Sequence, residues 1–209
     1  MTRDDYLRTL VEDIHSAVVA TLDADGRPQT RVIDMMLWDE QGVYFLTAKG
    51  KAFYDQLMAQ KSIALSATKD KISISLRGRV QSIGAERLDE IFEKNPYMQS
   101  IYPGDTRGAL EVFRLYKAEG EFFDIRVPSQ VVRDHFVLGA APHAVSGYFV
   151  GEECIGCRRC DAVCPQKCID ASRVPAVIEQ SRCLHCGRCA EVCPKQAIQR
   201  RTPSDLPAL

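Results

Sequence analysis

Alternating apolar and polar positions predict a mainly β fold for the first two thirds of the chain. Residues 72–77 alternate strictly between aliphatic side chains and serine or arginine, which is the period of a strand with one buried face. Shorter runs of β-branched and aromatic residues are separated by turns rich in Asp, Gly and Pro, as successive strands of a sheet are. We predict strands at 17–21, 30–37, 43–47, 62–68, 72–83, 110–117 and 121–127.

Apolar residues at helical spacing predict only a few helices beside these strands. About seven antiparallel strands with short helices favour a closed or partly closed barrel. Residues 128–147 contain two prolines and two glycines, so we predict a linker there between a β-barrel domain at 1–140 and a small α+β domain at 145–209. The predicted helices are 4–13, 51–60 and 86–95, with a loop at 96–108.

Length, charge and hydropathy narrow the function classes. The chain has 209 residues, of which 45% are hydrophobic, enough for one ordinary domain and one small domain. Its net charge of −1 argues against a nucleic-acid-binding or polybasic membrane-binding protein. The N-terminus lacks the pattern of an export signal, and no segment approaches the roughly 20 apolar residues of a membrane span. We therefore expect a cytoplasmic protein.

The cysteines form two runs, 154–165 and 183–194, each with the spacing C-x2-C-x2-C-x3-C-P. This spacing resembles that of bacterial ferredoxins with two 4Fe-4S clusters, in which three cysteines bind one cluster and the fourth binds the other. The runs are also a repeat with an offset of 29 residues, and two small halves of this kind can fold around shared metal. The predicted ligand sets are Cys154, Cys157, Cys160 and Cys193 for one cluster, and Cys183, Cys186, Cys189 and Cys164 for the other.

Other uses of these cysteines fit the pattern poorly. Zinc sites usually pair C-x2-C motifs without a third cysteine at the same interval, and a disulfide scaffold needs an oxidising compartment. The ninth cysteine, Cys168, aligns with Ala197 in the repeat, so we expect a small buried side chain rather than a ligand. His185 in the second cysteine run would raise the potential of its cluster, and Arg158 and Arg159 would do the same for the first cluster or form the face on which an electron-transfer partner docks. The alternative is that all three are solvated loop groups.

From His15 to about Ile125 the chain resembles the pyridoxamine 5′-phosphate oxidase-like split-barrel flavoproteins. The motifs that carry this resemblance are short, and they follow one another in the family's order within a resembling region of more than 100 residues. They lie at 18–28, 31–34, 44–47, 49–51 and 77–80. The resemblance implies a split β-barrel that binds FMN at a homodimer interface.

The resemblance also implies roles for individual residues. Arg31 would contact the phosphate or the ribityl chain of FMN, Thr47 would donate a hydrogen bond to the phosphate or the ring edge, and Lys51 would bind the phosphate. Cationic side chains and hydroxyl donors are the groups that bind a dianionic phosphate. The start of a helix after Lys51 would favour the same anion. The alternative is that these charges are solvated surface groups. The full set of implied cofactor-binding residues is Arg31, Val32, Ile33, Asp34, Thr47, Lys49 and Lys51, with the backbone of 32–34 along the isoalloxazine ring.

The chain departs from the oxidase at the substrate side. Met36 stands where the oxidase has lysine, Ser73 where it has glutamine, and the cysteine-rich segment replaces the oxidase's C-terminal Arg/His segment. These departures argue against oxidation of vitamin B6. The sequence indicates no catalytic residue or proton donor, and we expect His15, His135 and His143 to have surface or structural roles.

Together these features predict an iron-sulfur flavoprotein in which two 4Fe-4S clusters pass electrons between an external electron carrier and FMN. The flavin would then exchange two electrons with a small-molecule substrate, most simply in a reduction. The alternative is a non-catalytic electron-transfer or redox-sensing protein, whose barrel binds haem, a deazaflavin or no ligand.

Overall fold

A computed structural model describes residues 1–139 and 146–201. The described chain forms two compact units, one of residues 1–122 and 136–139, the other of residues 123–135 and 146–201. His143 lies outside the described residues. In the described part, the longest helix has nine residues, and no helix has the length and apolar character needed to cross a membrane.

The barrel is built on one antiparallel sheet. Its strand order is β2-β1-β5-β6-β7-β4-β3, and β8 also pairs with β7. The strands are β1 (Ser16–Leu22), β2 (Pro28–Asp34), β3 (Leu37–Asp39), β4 (Gly42–Ala48), β5 (Ser62–Lys69), β6 (Ile72–Ser82), β7 (Leu110–Asp124) and β8 (Val132–Leu138).

Helices occupy the connections of this sheet. A 3-10 turn, Gly104–Ala109, leads into β7, and a π-helix, Thr9–Ile14, leads into β1. The α-helices are α1 (Arg3–Arg8), α2 (Ala52–Gln60), α3 (Leu88–Lys94) and α4 (Met98–Ile101). The sequence predicted the first three of these α-helices, and it missed α4 because a single turn gives no periodic signal.

The turn between β1 and β2 follows directly from its sequence. Asp23 accepts hydrogen bonds at Oδ1 from the backbone N–H groups of Asp25 (3.0 Å) and Arg27 (2.9 Å). Gly26 has a φ of 77°, which glycine adopts without the strain that a side chain brings. The predicted turn is therefore confirmed, and it fixes the register in which Val18 pairs with Val32.

Two apolar clusters hold the barrel together. In the main cluster Phe45 stacks on Phe113 with ring centroids 5.9 Å apart, and Tyr6 stacks on Phe122 at 4.6 Å. The second cluster packs α3 and α4 against β4 and includes Ile91, which is fully buried. Because burying one such side chain stabilises a fold by roughly 1.5–3 kcal/mol, these clusters fix the strands and helices that carry the candidate site.

The prediction of two strands at 110–117 and 121–127 is wrong, because β7 runs unbroken through Gly120. A Cβ atom on Gly120 would lie 2.4 Å from Cζ of Phe136, so this glycine makes room for an aromatic ring and does not form a turn. Phe136 belongs to β8, which lies inside the predicted linker 128–147. The buried side chains of Phe136 and Leu138 alternate with less buried ones, which is the strand signal that the Pro and Gly content obscured.

The second unit is a small α+β fold whose two halves share backbone geometry. Antiparallel pairs join β9 to β12 and β10 to β11. Left-handed backbone recurs at the 29-residue offset, for example at Arg158 (φ 61°) and Gly187 (φ 80°), the residues that begin its two helices. Its elements are β9 (Gly147–Val150), α5 (Arg159–Val163), β10 (Ile169–Asp170), β11 (Val177–Ile178), α6 (Arg188–Glu191) and β12 (Ile198–Arg201).

Candidate functional site

The two groups of cysteines border two separate cavities of the second unit. In each cavity, three cysteines come from one run and the fourth comes from the other run, as the resemblance to two-cluster ferredoxins implies for the ligand sets. Within residues 1–139 and 146–201, no three His, Cys, Asp or Glu side chains lie close enough together to bind a single metal ion. The cysteine sulfurs instead surround the two cavities. One cavity is lined by Cys154, Cys157, Cys160 and Cys193, and the other by Cys164, Cys183, Cys186 and Cys189.

The burial of each cysteine depends on whether it lies in α5 or α6 or on the loop before the helix. Cys160 and Cys189 lie in the first turns of these helices and are buried, whereas Cys157 and Cys186 lie on the preceding loops and are exposed. Burial raises the pKa of both buried thiols, and that of Cys189 reaches about 11. Binding of an iron-sulfur cluster, which needs thiolates, would therefore release protons from these residues.

Cys168 borders the second cavity only. Its Sγ lies 3.5 Å from Sγ of Cys164, and the residue is buried, as we predicted from its alignment with Ala197. A hydrogen bond between Cys168 and Cys183 lowers the pKa of Cys183 and raises that of Cys168. The two cavities are therefore unequal, because Cys168 lines the second, whereas the residue that matches it in the repeat is Ala197, which has no thiol.

In the barrel, Arg31 is held by other protein groups. From β2 it donates to Oγ1 of Thr21 at 2.5 Å and to Oε1 of Gln56 on α2 at 2.9 Å. Its guanidinium carbon lies 4.5 Å from the centroid of the Phe53 ring, and burial lowers its pKa. The interpretation of Arg31 as a solvated surface charge is wrong for this residue.

Thr47 lies at the end of β4 and is 3% exposed. Its Oγ1 is buried and has no hydrogen-bond partner among the residues that the structure describes. A buried hydroxyl without a partner costs about 1–3 kcal/mol. The position therefore suits a ligand that supplies a hydrogen-bond acceptor, such as a phosphate oxygen or the polar edge of a flavin ring.

The two candidate lysines lie on the loop between Thr47 and α2. Nζ of Lys49 is 3.8 Å from Oε2 of Glu111, and the Lys49 side chain is more than half exposed. Lys51 is exposed and occupies the N-cap of α2, the nine-residue helix whose Gln56 holds Arg31. A helix N-terminus and two ammonium groups together favour an anion.

Val32, Ile33 and Asp34 lie in different environments along β2. Val32 is 65% exposed and pairs with Val18, which is also exposed, whereas Ile33 packs against the main core. Asp34 accepts hydrogen bonds from Ser16 Oγ at 2.6 Å and from the Tyr97 hydroxyl at 2.7 Å. Arg31 is thus hydrogen-bonded to α2, the helix that follows Lys51. Asp34 instead belongs to a separate hydrogen-bonded group with Ser16 and Tyr97.

Family models match both units. A model described as pyridoxamine 5′-phosphate oxidase matches residues 4–122, which is more than half of the chain, and a model described as a 4Fe-4S dicluster domain matches residues 153–197. The chain belongs to the pyridoxamine 5′-phosphate oxidase family. The predicted combination of a family barrel with a C-terminal iron-sulfur domain is confirmed, and both domain types mark a redox protein.

Curated relatives in the family share moderate identity with the chain. The pyridoxine/pyridoxamine 5′-phosphate oxidase of Sinorhizobium fredii is 26% identical over 134 residues, which cover 62% of this chain and 65% of the relative. That of Xanthomonas euvesicatoria pv. vesicatoria is 30% identical over 122 residues, covering 53% and 61%. The chain therefore spans less than two thirds of the length of these relatives.

Solved structures agree on the fold of the barrel. A NimC/NimA family protein from Clostridium acetobutylicum aligns with a TM-score of 0.55 at 19% identity, covering 64% of this chain and 92% of that one. PhzG from Burkholderia lata aligns with a TM-score of 0.50 at 16% identity, covering 66% and 90%. At such identities the comparison concerns fold alone.

Sequence reasoning missed several polar residues around the barrel site. Gln56 and Thr21 hold Arg31, and Glu111 accepts hydrogen bonds from Tyr54 at 3.1 Å and from Ser82. The only sequence signal for Gln56 was its place in the helix that follows Lys51. Tyr97 joins Asp34 across 63 positions of the chain, and no local pattern predicts such a contact.

Proposed function

We propose that the chain is a cytoplasmic iron-sulfur flavoprotein that passes electrons between an external carrier, two 4Fe-4S clusters, FMN and a small-molecule substrate. The observation that carries this proposal is a family barrel joined in one chain to two cavities that are each lined by four predicted ligand cysteines. Tethering a one-electron donor to a flavin raises its effective concentration. The joined domains thus suit conversion between one-electron and two-electron transfer.

In this proposal the eight cysteine thiolates hold the clusters. Each cluster takes three thiolates from one run and one from the other, which ties the two halves of the second unit together. Such clusters supply single-electron transfer at potentials set by charge, hydrogen bonds to sulfur and solvent exposure. Cys168 contributes a hydrogen bond beside the second cluster and no ligand.

In the barrel, Thr47 and Lys51 bind the phosphate end of FMN, with Lys49 beside them. Arg31 also contributes its positive charge, because Thr21 and Gln56 fix its direction and leave its remaining N–H groups for the cofactor. The backbone of Val32, Ile33 and Asp34 passes along the isoalloxazine ring, as the family resemblance implies. When bound, FMN supplies the exchange of electron pairs and hydride.

We further propose that the barrel works as a homodimer. Val32 and its cross-strand partner Val18 are 65% and 47% exposed on adjacent strands, and exposed apolar surface beside a ligand site favours association. Because β2 lies at one end of the sheet order, a second copy can cover this face. FMN would then lie at the interface between two copies.

The substrate of this chain differs from vitamin B6. Met36, which replaces a lysine of the oxidase, is 7% exposed and lies with its sulfur 3.7 Å from the Tyr97 hydroxyl. A buried thioether cannot neutralise a phosphate as an ammonium group does. We therefore propose a substrate without a phosphate at this position.

Cofactor content tests the proposal. Protein purified without oxygen should release about one FMN per chain and contain about eight irons, since each cubane holds four. Arg31→Ala and Lys51→Ala should each weaken FMN binding, whereas Lys61→Ala, at the opposite end of α2, should not. Full iron with no flavin, or with haem or a deazaflavin, would support the non-catalytic alternative.

A further inference from the structure

Three polar side chains from distant parts of the chain meet at one place in the barrel unit. The Tyr97 hydroxyl donates to Oδ2 of Asp34 at 2.7 Å and lies 3.0 Å from Nε2 of His15. His15 Nε2 is itself 3.6 Å from Oδ2 of Asp34. These residues come from the position just before β1, the end of β2 and the N-cap of α4, so only the fold brings them together.

The backbone at His15 is unusual. Its φ of 70° and ψ of −55° place a residue with a side chain in the rare γ-turn region, which costs free energy and tends to occur at functional sites. The residue also ends a π-helix, an element that is frequent at such sites. A structural role alone does not explain a histidine at this position, because glycine would adopt the same backbone conformation with less strain.

Each ring nitrogen of His15 lies within hydrogen-bonding distance of an oxygen atom. Nδ1 lies 3.2 Å from the carbonyl oxygen of Val11, which only accepts, so Nδ1 must carry a proton. Nε2 faces the oxygen of Tyr97, whose own proton points to Asp34. A proton on Nε2 would therefore be donated to the Tyr97 oxygen, with the Asp34 carboxylate 3.6 Å away.

Other groups around this network support the same arrangement. Ser16 Oγ donates to the second oxygen of Asp34 at 2.6 Å. Burial and the hydrogen bond to Asp34 raise the pKa of Tyr97, which keeps the phenol protonated as a donor. On neighbouring elements, Lys69 donates to the carbonyl of Asp13 at 2.6 Å and Glu12 accepts from Trp38, so these charges are engaged elsewhere.

The network is accessible from outside the barrel unit. The side chains of His15 and Asp34 are each 31% exposed, and Tyr97 is 41% exposed. Asp34 is also the last of the three residues whose backbone the family resemblance places along the isoalloxazine ring. A substrate beside that ring would therefore lie within reach of the Tyr97 hydroxyl.

We propose that His15, Tyr97 and Asp34 form the proton-transfer site for a substrate that accepts two electrons and takes up a proton at a carbonyl oxygen. This inference rests on the proposed flavin function. If FMN is bound as proposed, it would supply the two electrons as a hydride, and these three residues would supply the proton. The Tyr97 O–H would turn from Asp34 to the substrate oxygen and give it its proton, a proton on His15 Nε2 would move to the Tyr97 oxygen, and the imidazole would take up a proton from water.

Two electron acceptors separate proton transfer from electron transfer. Photoreduced protein would be mixed without oxygen with menadione, which takes up protons, or with ferricyanide, which takes single electrons and none. His15→Gly and Tyr97→Phe should slow menadione reduction at least tenfold, leave ferricyanide reduction unchanged and keep FMN content at the wild-type level. Tyr102→Phe, which removes the hydroxyl of the tyrosine at the C-cap of α4, is the matched control and should leave both rates unchanged.

Chemical rescue and stability distinguish proton transfer from a structural role. Added imidazole should restore menadione reduction in His15→Gly and not in Tyr97→Phe, and His15→Gly should melt no lower than wild type because glycine relieves the backbone strain. Wild-type menadione rates in both variants, or an equal loss with both acceptors, would overturn the proposal. If wild-type protein binds no flavin, the proposed function fails instead, and the FMN content of the wild-type protein shows this directly, whatever the rates with the two acceptors.

Discussion

Arg31 on β2 donates a hydrogen bond to Oε1 of Gln56 on α2 at 2.9 Å. The same Gln56 oxygen accepts from Thr21 at 2.6 Å, so one glutamine joins two strands to the helix that begins after Lys51. The contact makes Arg31 part of the barrel's internal structure and directs its charge. The candidate FMN site therefore depends on a residue outside the family motifs that we recognised.

Gln56→Ala should weaken both folding and cofactor binding. Removing the acceptor leaves the Arg31 guanidinium and the Thr21 hydroxyl without this partner, which costs roughly 1–3 kcal/mol of unfolding free energy. FMN affinity should also fall, because Arg31 is no longer held in place. Chemical denaturation and FMN titration measure the two effects, with the exposed Gln81→Ala as control. Unchanged FMN affinity in Gln56→Ala would contradict the proposed role of Arg31.

Gly120→Ala should destabilise the barrel. The new methyl group would lie 2.4 Å from Cζ of Phe136, and overpacking of this kind typically costs 1–3 kcal/mol. Thermal melting should show a clear decrease for Gly120→Ala and little change for Gly108→Ala, since a Cβ atom on Gly108 meets nothing within 4 Å. An unchanged melting temperature in Gly120→Ala would show that β7 and β8 do not pack as described.

Cys168→Ala should retain both clusters, because Cys168 is a neighbour of the second cluster and not a ligand. The matched variant Cys164→Ala removes a proposed ligand whose Sγ is only 3.5 Å from that of Cys168. Iron analysis after anaerobic purification should give about eight irons per chain for Cys168→Ala and about four for Cys164→Ala. A loss of about four irons in Cys168→Ala would make it a ligand.

Glu90 should contribute to the pH dependence of stability. Hydrogen bonds from Arg87 and Lys94 lower the pKa of Glu90 from 4.5 to about 2. The stabilisation is therefore present above pH 4.5 and is lost as the pH falls towards 2. Because the side chain is one third exposed, we expect less than about 1 kcal/mol. Denaturation of wild type and Glu90→Gln between pH 7 and 3 should give curves that converge at low pH, and parallel curves would contradict this assignment.

The sequence predicted most strands of the barrel because their alternation and turns are local signals. Strand β6 has the predicted alternation of buried and exposed residues, and the cysteine spacing predicted which four sulfurs share each cavity. The sequence did not predict β8, or the continuity of β7, because Gly120 is explained by Phe136, a residue distant in sequence. It also did not predict the contacts of His15 with Tyr97, since these depend on the tertiary fold.

The most direct test of the central claim is the rate at which reduced clusters pass electrons to the flavin within the protein. Stopped-flow spectroscopy without oxygen would follow flavin absorbance after one-electron reduction of the clusters. The iron-sulfur flavoprotein proposal predicts a first-order flavin reduction whose rate constant does not change with protein concentration, as transfer within one molecule or dimer requires. A rate proportional to protein concentration, or no flavin reduction while the clusters are reduced, would contradict it.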